Sequence, residues 1–187
     1  MKRSQLEHAI RTSCQIIRQQ EVIVVGSQAI LGTYDENQLP AEATMSLECD
    51  ILPIASSNEE TARLADAIEG VAGEWSPFER EHGFSIDGVD LTTVILPVGW
   101  RTRLVKVQNE NTAALSGQPQ FTGWCLDVHD LCAAKLCAGR EKDLNFVGAL
   151  LAANLVDLQT LQERVRSVDA RFLAAADRAT QWLTTFG

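Results

Sequence analysis

Apolar residues recur at helical spacing through Leu6, Ala9, Ile10, Cys14 and Ile17, which predicts an amphipathic helix over Ser4 to Arg18. Ser4 reads as its N-cap, with Glu7 completing a capping box. The period then changes. Glu21 to Val25 is a short β-branched run stopped at Gly26, the pattern of a buried strand entering a tight turn. Gln28 to Leu31 reads as the start of a helix, Gly32 to Thr44 as a polar loop, and Met45 to Pro53 as a second strand closed by proline. Ser57-x-x-Glu60 opens a helix through about Glu69, with Ala62, Leu64, Ala65 and Ile68 facing inward. Gly70, Gly73, Ser76 and Pro77 break the chain and leave Trp75 and Phe78 as packing anchors.

Phe84 to Leu96 predicts strand, interrupted at Asp87-Gly88 by a hairpin turn or a bulge, and Arg103 to Val107 predicts a further strand. After a loop over Asn109 to Gly123 the pattern is helical to the end. Helices are expected at Asp127 to Ala138, Arg140 to Ala153, Asp157 to Arg166 and Asp169 to Thr185, with Asp127, Asp157 and Asp169 as N-caps. Strands interleaved with helices, then four helices, make a mixed α/β fold: a sheet core over residues 1–125 and a C-terminal helical lobe over 126–187, in one compact unit.

Composition narrows the partners. A net charge of −9 and a pI near 4.8 argue against non-specific binding to DNA, which needs a basic stripe. No apolar run spans a bilayer and the first residues lack a signal-peptide core, so a cytoplasmic protein is expected. Cys14, Cys49, Cys125, Cys132 and Cys137 show no metal spacing and read as buried small hydrophobes.

Chemistry concentrates between Val22 and Pro53. Residues two apart in a strand share a face, so Glu48 and Asp50 point one way and Cys49 the other. Two such charges repel by about 2 to 3 kcal/mol at an effective dielectric near 20, a cost that a divalent cation repays. Upstream, Gly26 lets the backbone approach a phosphate, and Ser27 offers a hydroxyl and an amide. Lys135 is the lone charge in the run Leu131 to Gly139, so its ammonium either snorkels or pairs with an anion. Arg140, Glu141, Lys142 and Asp143 read by themselves as a charged first helical turn.

The stretches VVGSQAILG, SLECDILP, LPVGWRTRLVKVQNENT and HDLCAAKLCAGREKDLNFVGALL resemble an uncharacterised bacterial family of nucleotidyltransferase-like domains. That family is similar to the polymerase-β-type nucleotidyltransferases and to abortive-infection nucleotidyltransferase toxins. The resemblance covers Val22 to Leu151 and implies a nucleotidyltransferase-like sheet with flanking helices. It makes Gly26 and Ser27 the triphosphate-binding turn, Glu48 and Asp50 the carboxylates for Mg²⁺ or Mn²⁺, Lys135 a lysine near the nucleotide and Asp143 the downstream acidic position. A nucleoside triphosphate is then the donor, and the acceptor is a protein, an RNA or a small molecule.

Two departures stand out. Twenty residues separate Ser27 from Glu48, a long insertion for this fold, which would cover the site or obstruct it. For the third carboxylate Asp90 is the better candidate, because Asp87 reads as making a turn with Gly88. If that carboxylate is missing, the chain is a catalytically degenerate interaction protein, in the manner of one half of a toxin–antitoxin pair. The run Gln108 to Thr112 reads as either a plain loop or part of the acceptor site, with the loop favoured, His129 as a capping or surface residue, and Trp75, Trp100, Trp124 and Trp182 as core rather than a base-stacking platform.

Overall fold

The computed structural model describes residues 1–186, so Gly187, the last residue of the expected lobe, lies outside the described residues. Five strands form one mixed sheet: β1 (Glu21–Val24), β2 (Glu48–Pro53), β3 (Ser85–Gly88), β4 (Val105–Val107) and β5 (Thr122–Cys125), in the order β3-β2-β1-β5-β4. β1 pairs antiparallel with β2 and parallel with β5, while β3 runs parallel to β2 and β4 antiparallel to β5. Central β1 is buried at Val22, Ile23 and Val24, as a strand covered on both faces must be.

Helices α1 (Arg3–Ile17) and α3 (Asn58–Ala72) pack on the sheet. α1 presents Leu6, Ala9, Ile10, Cys14 and Ile17 to the core, as its spacing predicts, but its N-terminus differs from the capping box at Ser4. Lys2 is the N-cap and its N–H donates to Gln5 Oε1 at 2.9 Å. Glu7 has been drawn inward instead, where it accepts from Asn109 Nδ2 at 2.7 Å and Asn111 Nδ2 at 2.8 Å. Those bonds make the Gln108–Thr112 run a lashing between a loop and α1. α3 opens on Ser57, whose hydroxyl accepts from Glu60 N–H at 3.2 Å, and runs past Glu69 to Ala72.

Between α3 and β3 lies a helix with no apolar period, α4 (Pro77–His82), started by the Ser76 N-cap and by proline at its first position. Phe78 packs edge-on to Phe84, as an anchor should. Trp75 does not: it stands 79% exposed, at a φ of 65°.

Asp87-Gly88 is neither turn nor bulge. Both residues lie in β3, paired with Asp50 and Ile51. A Cβ on Gly88 would fall 2.0 Å from the carbonyl oxygen of Ala65, so glycine is there to let the α3 backbone touch the strand. The expected strand to Leu96 is replaced after Gly88 by a loop. β5 falls inside the expected Asn109 to Gly123 loop and beyond it; at Gly123 a Cβ would meet Ile10 Cδ1 at 2.3 Å.

The C-terminal helices are α5 (Val128–Ala138), α6 (Glu141–Ala152), α7 (Leu158–Arg166) and α8 (Leu173–Leu183), the last preceded by a 3-10 turn at Ala170–Phe172. Asp127 and Asp157 cap α5 and α7 as expected, and His129 Nε2 accepts from Asp157 N–H at 3.2 Å, tying the two caps together. Buried Asp130 takes a two-point bond from Arg103 at 2.8 and 2.9 Å and lies 3.3 Å from Arg164, which anchors the loop before β4 to this helical layer. One continuous core runs from Leu6 through the sheet to Leu161, Val165 and Leu183. All five cysteines are free and buried within the fold. Among the described residues no helix is long and apolar enough to cross a membrane.

Candidate active site

β1 continues into Val25, whose N–H donates to Asp50 O at 3.1 Å, and this fixes Gly26 beside the Asp50 side chain. The φ of Gly26, −78°, is open to any residue, so space is what demands glycine. A Cβ there would sit 1.5 Å from Asp50 Oδ2. The chain then enters a 3-10 turn over Ser27–Gly32, shorter and tighter than the helix its sequence predicts.

The long insertion is partly ordered, with a 3-10 turn at Glu36–Gln38 and a one-turn helix α2 (Ala41–Thr44) packed against α6. β2 therefore starts at Glu48, not Met45. Buried Gln28 holds the strand-side end of the insertion, its Nε2 donating to Ser46 O at 2.8 Å, and the Met1 amino group donates to Thr44 O at 2.9 Å. So tethered, the insertion forms one wall of an open cavity of about 890 Å³ rather than a plug.

Glu48 and Asp50 line this cavity from β2, Gly26 and Ser27 from the turn, and Lys135, Arg140 and Lys142 from α5 and the start of α6. Six of the seven residues singled out in the sequence are thus near one another: Gly26, Ser27, Glu48, Asp50 and Lys135 on the wall, and Asp143 immediately behind it. Asp143 is fully buried, accepting from Lys135 Nζ at 3.1 Å and from Arg140 Nε at 2.6 Å. Burial pushes its carboxyl up, but the bonds from Arg140 and Lys135 outweigh that and hold it below the usual carboxylate range. Lys135 therefore pairs rather than snorkels, and its Nζ also sits 4.5 Å from the centre of the Phe146 ring. Asp143 reaches the cavity through these two cations.

Asp90, the seventh, is elsewhere. It lies in the loop after β3, where its Oδ1 accepts from both the N–H and the hydroxyl of Thr92 at 2.6 Å, and those bonds hold its carboxyl below its ordinary value. The acid beside the pair is Asp87, in register with Asp50 and hydrogen-bonded to Glu48. Burial pushes the Asp87 carboxyl well up, and the Glu48 and Asp50 charges push the same way. Asp50 is raised to about 6, by burial first and by Glu48 second, against the pull of Lys135, Arg140 and Lys142. The missed signal was the strand register: Asp-Gly reads as a turn until a parallel partner strand is known.

Charge is therefore divided across the cavity, acids on the sheet and cations on the helices. Among the described residues no group of three His, Cys, Asp or Glu is arranged as a metal cage, but Mg²⁺ is commonly held by one or two carboxylates plus substrate phosphates. Glu48 and Asp50 fit that donor set.

A family model described as a nucleotidyltransferase of unknown function (DUF6036) matches residues 4–184. The chain belongs to that family. The match spans sheet, insertion and helical lobe together, so every residue of the divided cavity falls inside the nucleotidyltransferase region. No curated protein and no solved structure gives a significant match.

Proposed function

We propose that this nucleotidyltransferase moves a nucleoside monophosphate from a nucleoside triphosphate to a hydroxyl on an acceptor, with Mg²⁺ or Mn²⁺ as cofactor. The observation that carries the reading is the divided cavity, whose wall holds Glu48 and Asp50 together with Lys135, Arg140, Lys142 and Ser27. Such an arrangement suits a polyanion that must be neutralised from both sides. Glu48 and Asp50 would hold the divalent ion, which when bound spreads the charge of the phosphate oxygens and of the leaving pyrophosphate. Lys135 and Arg140, held in place by Asp143, supply fixed positive charge to the phosphates, and Lys142 adds a third. Ser27 donates its hydroxyl to a phosphate oxygen. The acceptor hydroxyl loses its proton to the Asp87 carboxylate, the third acid beside the pair, as it attacks the α-phosphorus.

The test is transfer of label from α-labelled NTPs to protein, RNA and small-molecule fractions in Mg²⁺ and Mn²⁺. Wild-type protein should label one fraction, and Asp50→Asn should lower the rate at least about hundredfold while staying folded. One observation favours a second reading: Glu48 is engaged by Asp87, as in a nucleotide-binding interaction protein without catalysis, such as a toxin–antitoxin component. Tight NTP binding with no transfer to any fraction would select it.

A further inference from the structure

The cavity extends past its charged strip into the cleft between α2 and α6, and the polar groups there have a pattern of their own. Most polar side chains on the wall are already engaged. The Thr92 hydroxyl donates to Asp90 Oδ1 at 2.6 Å, the Thr93 hydroxyl to Asp90 O at 2.7 Å, and Lys135 and Arg140 are bound to Asp143. Among the described residues, the cavity-lining side chains without a protein hydrogen bond are Ser27, Asp50, Lys142, Glu42 and Asn145. The first three belong to the phosphate and metal chemistry above. Glu42 and Asn145 do not.

Asn145 stands in the body of α6, where asparagine is a poor helix former, and its amide returns no bond to the helix. Glu42 stands on α2, which packs against α6, so the two side chains belong to the two sides of one cleft. Apolar surface for a ring lies on the same wall, in Met45 and Leu47, which are 76% and 57% exposed. A carboxamide offers one donor and one acceptor side by side, the complement of an amino group next to an unprotonated ring nitrogen. A carboxylate only accepts, so it takes a second amino hydrogen and repels a carbonyl oxygen at the same place.

We infer that the α2–α6 cleft is the base subsite, and that Asn145 and Glu42 select a base with an amino group beside a bare ring nitrogen, as in adenine or cytosine, over uracil. This rests on the nucleotidyltransferase reading. Asn145 accepts one amino hydrogen at Oδ1 and donates from Nδ2 to the ring nitrogen, while Glu42 accepts the other amino hydrogen. Uracil presents a carbonyl oxygen to Glu42, and guanine carries a carbonyl oxygen beside a protonated ring nitrogen on the edge where adenine carries its amino group beside a bare one.

Calorimetric titration of the full chain in Mg²⁺ with ATP, CTP, GTP, UTP and inorganic triphosphate tests it. ATP and CTP should bind about ten- to hundredfold tighter than UTP, the discrimination expected of one good two-point contact to a base. Asn145→Ala should remove that difference and leave triphosphate affinity unchanged, and Glu42→Gln should raise UTP affinity relative to ATP. Equal binding of all four NTPs by the wild type, or equal weakening of all five ligands by Asn145→Ala, overturns the base subsite while leaving the nucleotidyltransferase reading in place. Failure of triphosphate and all four NTPs to bind overturns both.

Discussion

At Gly26 and Asp50 a single missing carbon sets the geometry of the acid floor. A methyl group at Gly26 would occupy the space of Asp50 Oδ2, and the cheapest relief is rotation of that carboxylate out of place. Gly26→Ala should therefore cost nearly as much transfer activity as Asp50→Asn while leaving far-UV circular dichroism unchanged. Asp50→Asn itself should raise the melting temperature of metal-free protein, because it removes one of the clustered negative charges, and a melting curve in chelator checks this. A second residue-scale device lies across the molecule. His8 packs against Phe78, His82 and Phe84, and its pKa is lowered to about 4, by burial first and then by Arg11 and His82, with Glu81 pulling the other way. Unfolded His8 takes up its proton near its ordinary 6.5, the folded residue only near 4, so this contribution to stability is whole above pH 6.5 and is lost as pH falls towards 4. Denaturant melts of wild type and His8→Phe at several pH values should diverge across that window, with the wild type losing more.

Among the elements, the α5–α6 junction is the one whose stability and function are most tightly joined. Asp143 is buried between Lys135 and Arg140, and removing it leaves the Lys135 ammonium buried without its anion. Asp143→Ala should destabilise the fold by about 3 to 5 kcal/mol in urea unfolding, the usual cost of breaking a buried pair from one side. Lys135→Met should cost less, since Arg140 still binds Asp143, yet should weaken triphosphate binding. The fold-bearing strand β5 shows another limit at this scale. It contributes Thr122-Gly123-Trp124-Cys125 to the sheet between β1 and β4, but four residues are too few for a period to show, and Gly123 argues locally for a loop. Its place is decided by α1, whose Ile10 needs the room that glycine leaves.

For the molecule as a whole, the cavity couples ligand binding to the sheet, the insertion and the C-terminal helices, because its walls come from the sheet, the insertion, α5 and α6. A nucleoside triphosphate with Mg²⁺ at a hundred times its dissociation constant should add about 2.7 kcal/mol to unfolding free energy, read as a rise in melting temperature. The same addition to Asp50→Asn should give much less. A net charge of −9 leaves the three wall cations as a local patch, suited to phosphates inside a cavity rather than to a nucleic-acid track.

What the chain determines by itself is local. The spacing of Leu6 to Ile17, the serine and aspartate caps, and the alternation that turns Glu48 and Asp50 to one side all follow from periods of 3.6 and 2, which neighbouring residues enforce through their own backbone geometry. These were enough for α1, α3 and the C-terminal helices, for β1 and most of β2, and for the mixed α/β class, while α2 and α4 are too short to show a period. Which acid joins the pair was not local. Asp87 and Asp90 differ by three positions, and only the parallel pairing of β3 with β2 puts Asp87 opposite Asp50 and leaves Asp90 to cap a turn. The same holds for Gly26, whose reason is a side chain twenty-four residues away, and for Lys135, whose partner lies on the next helix. Long-range register and packing decide such questions, because the energies that settle them arise only between elements already brought together.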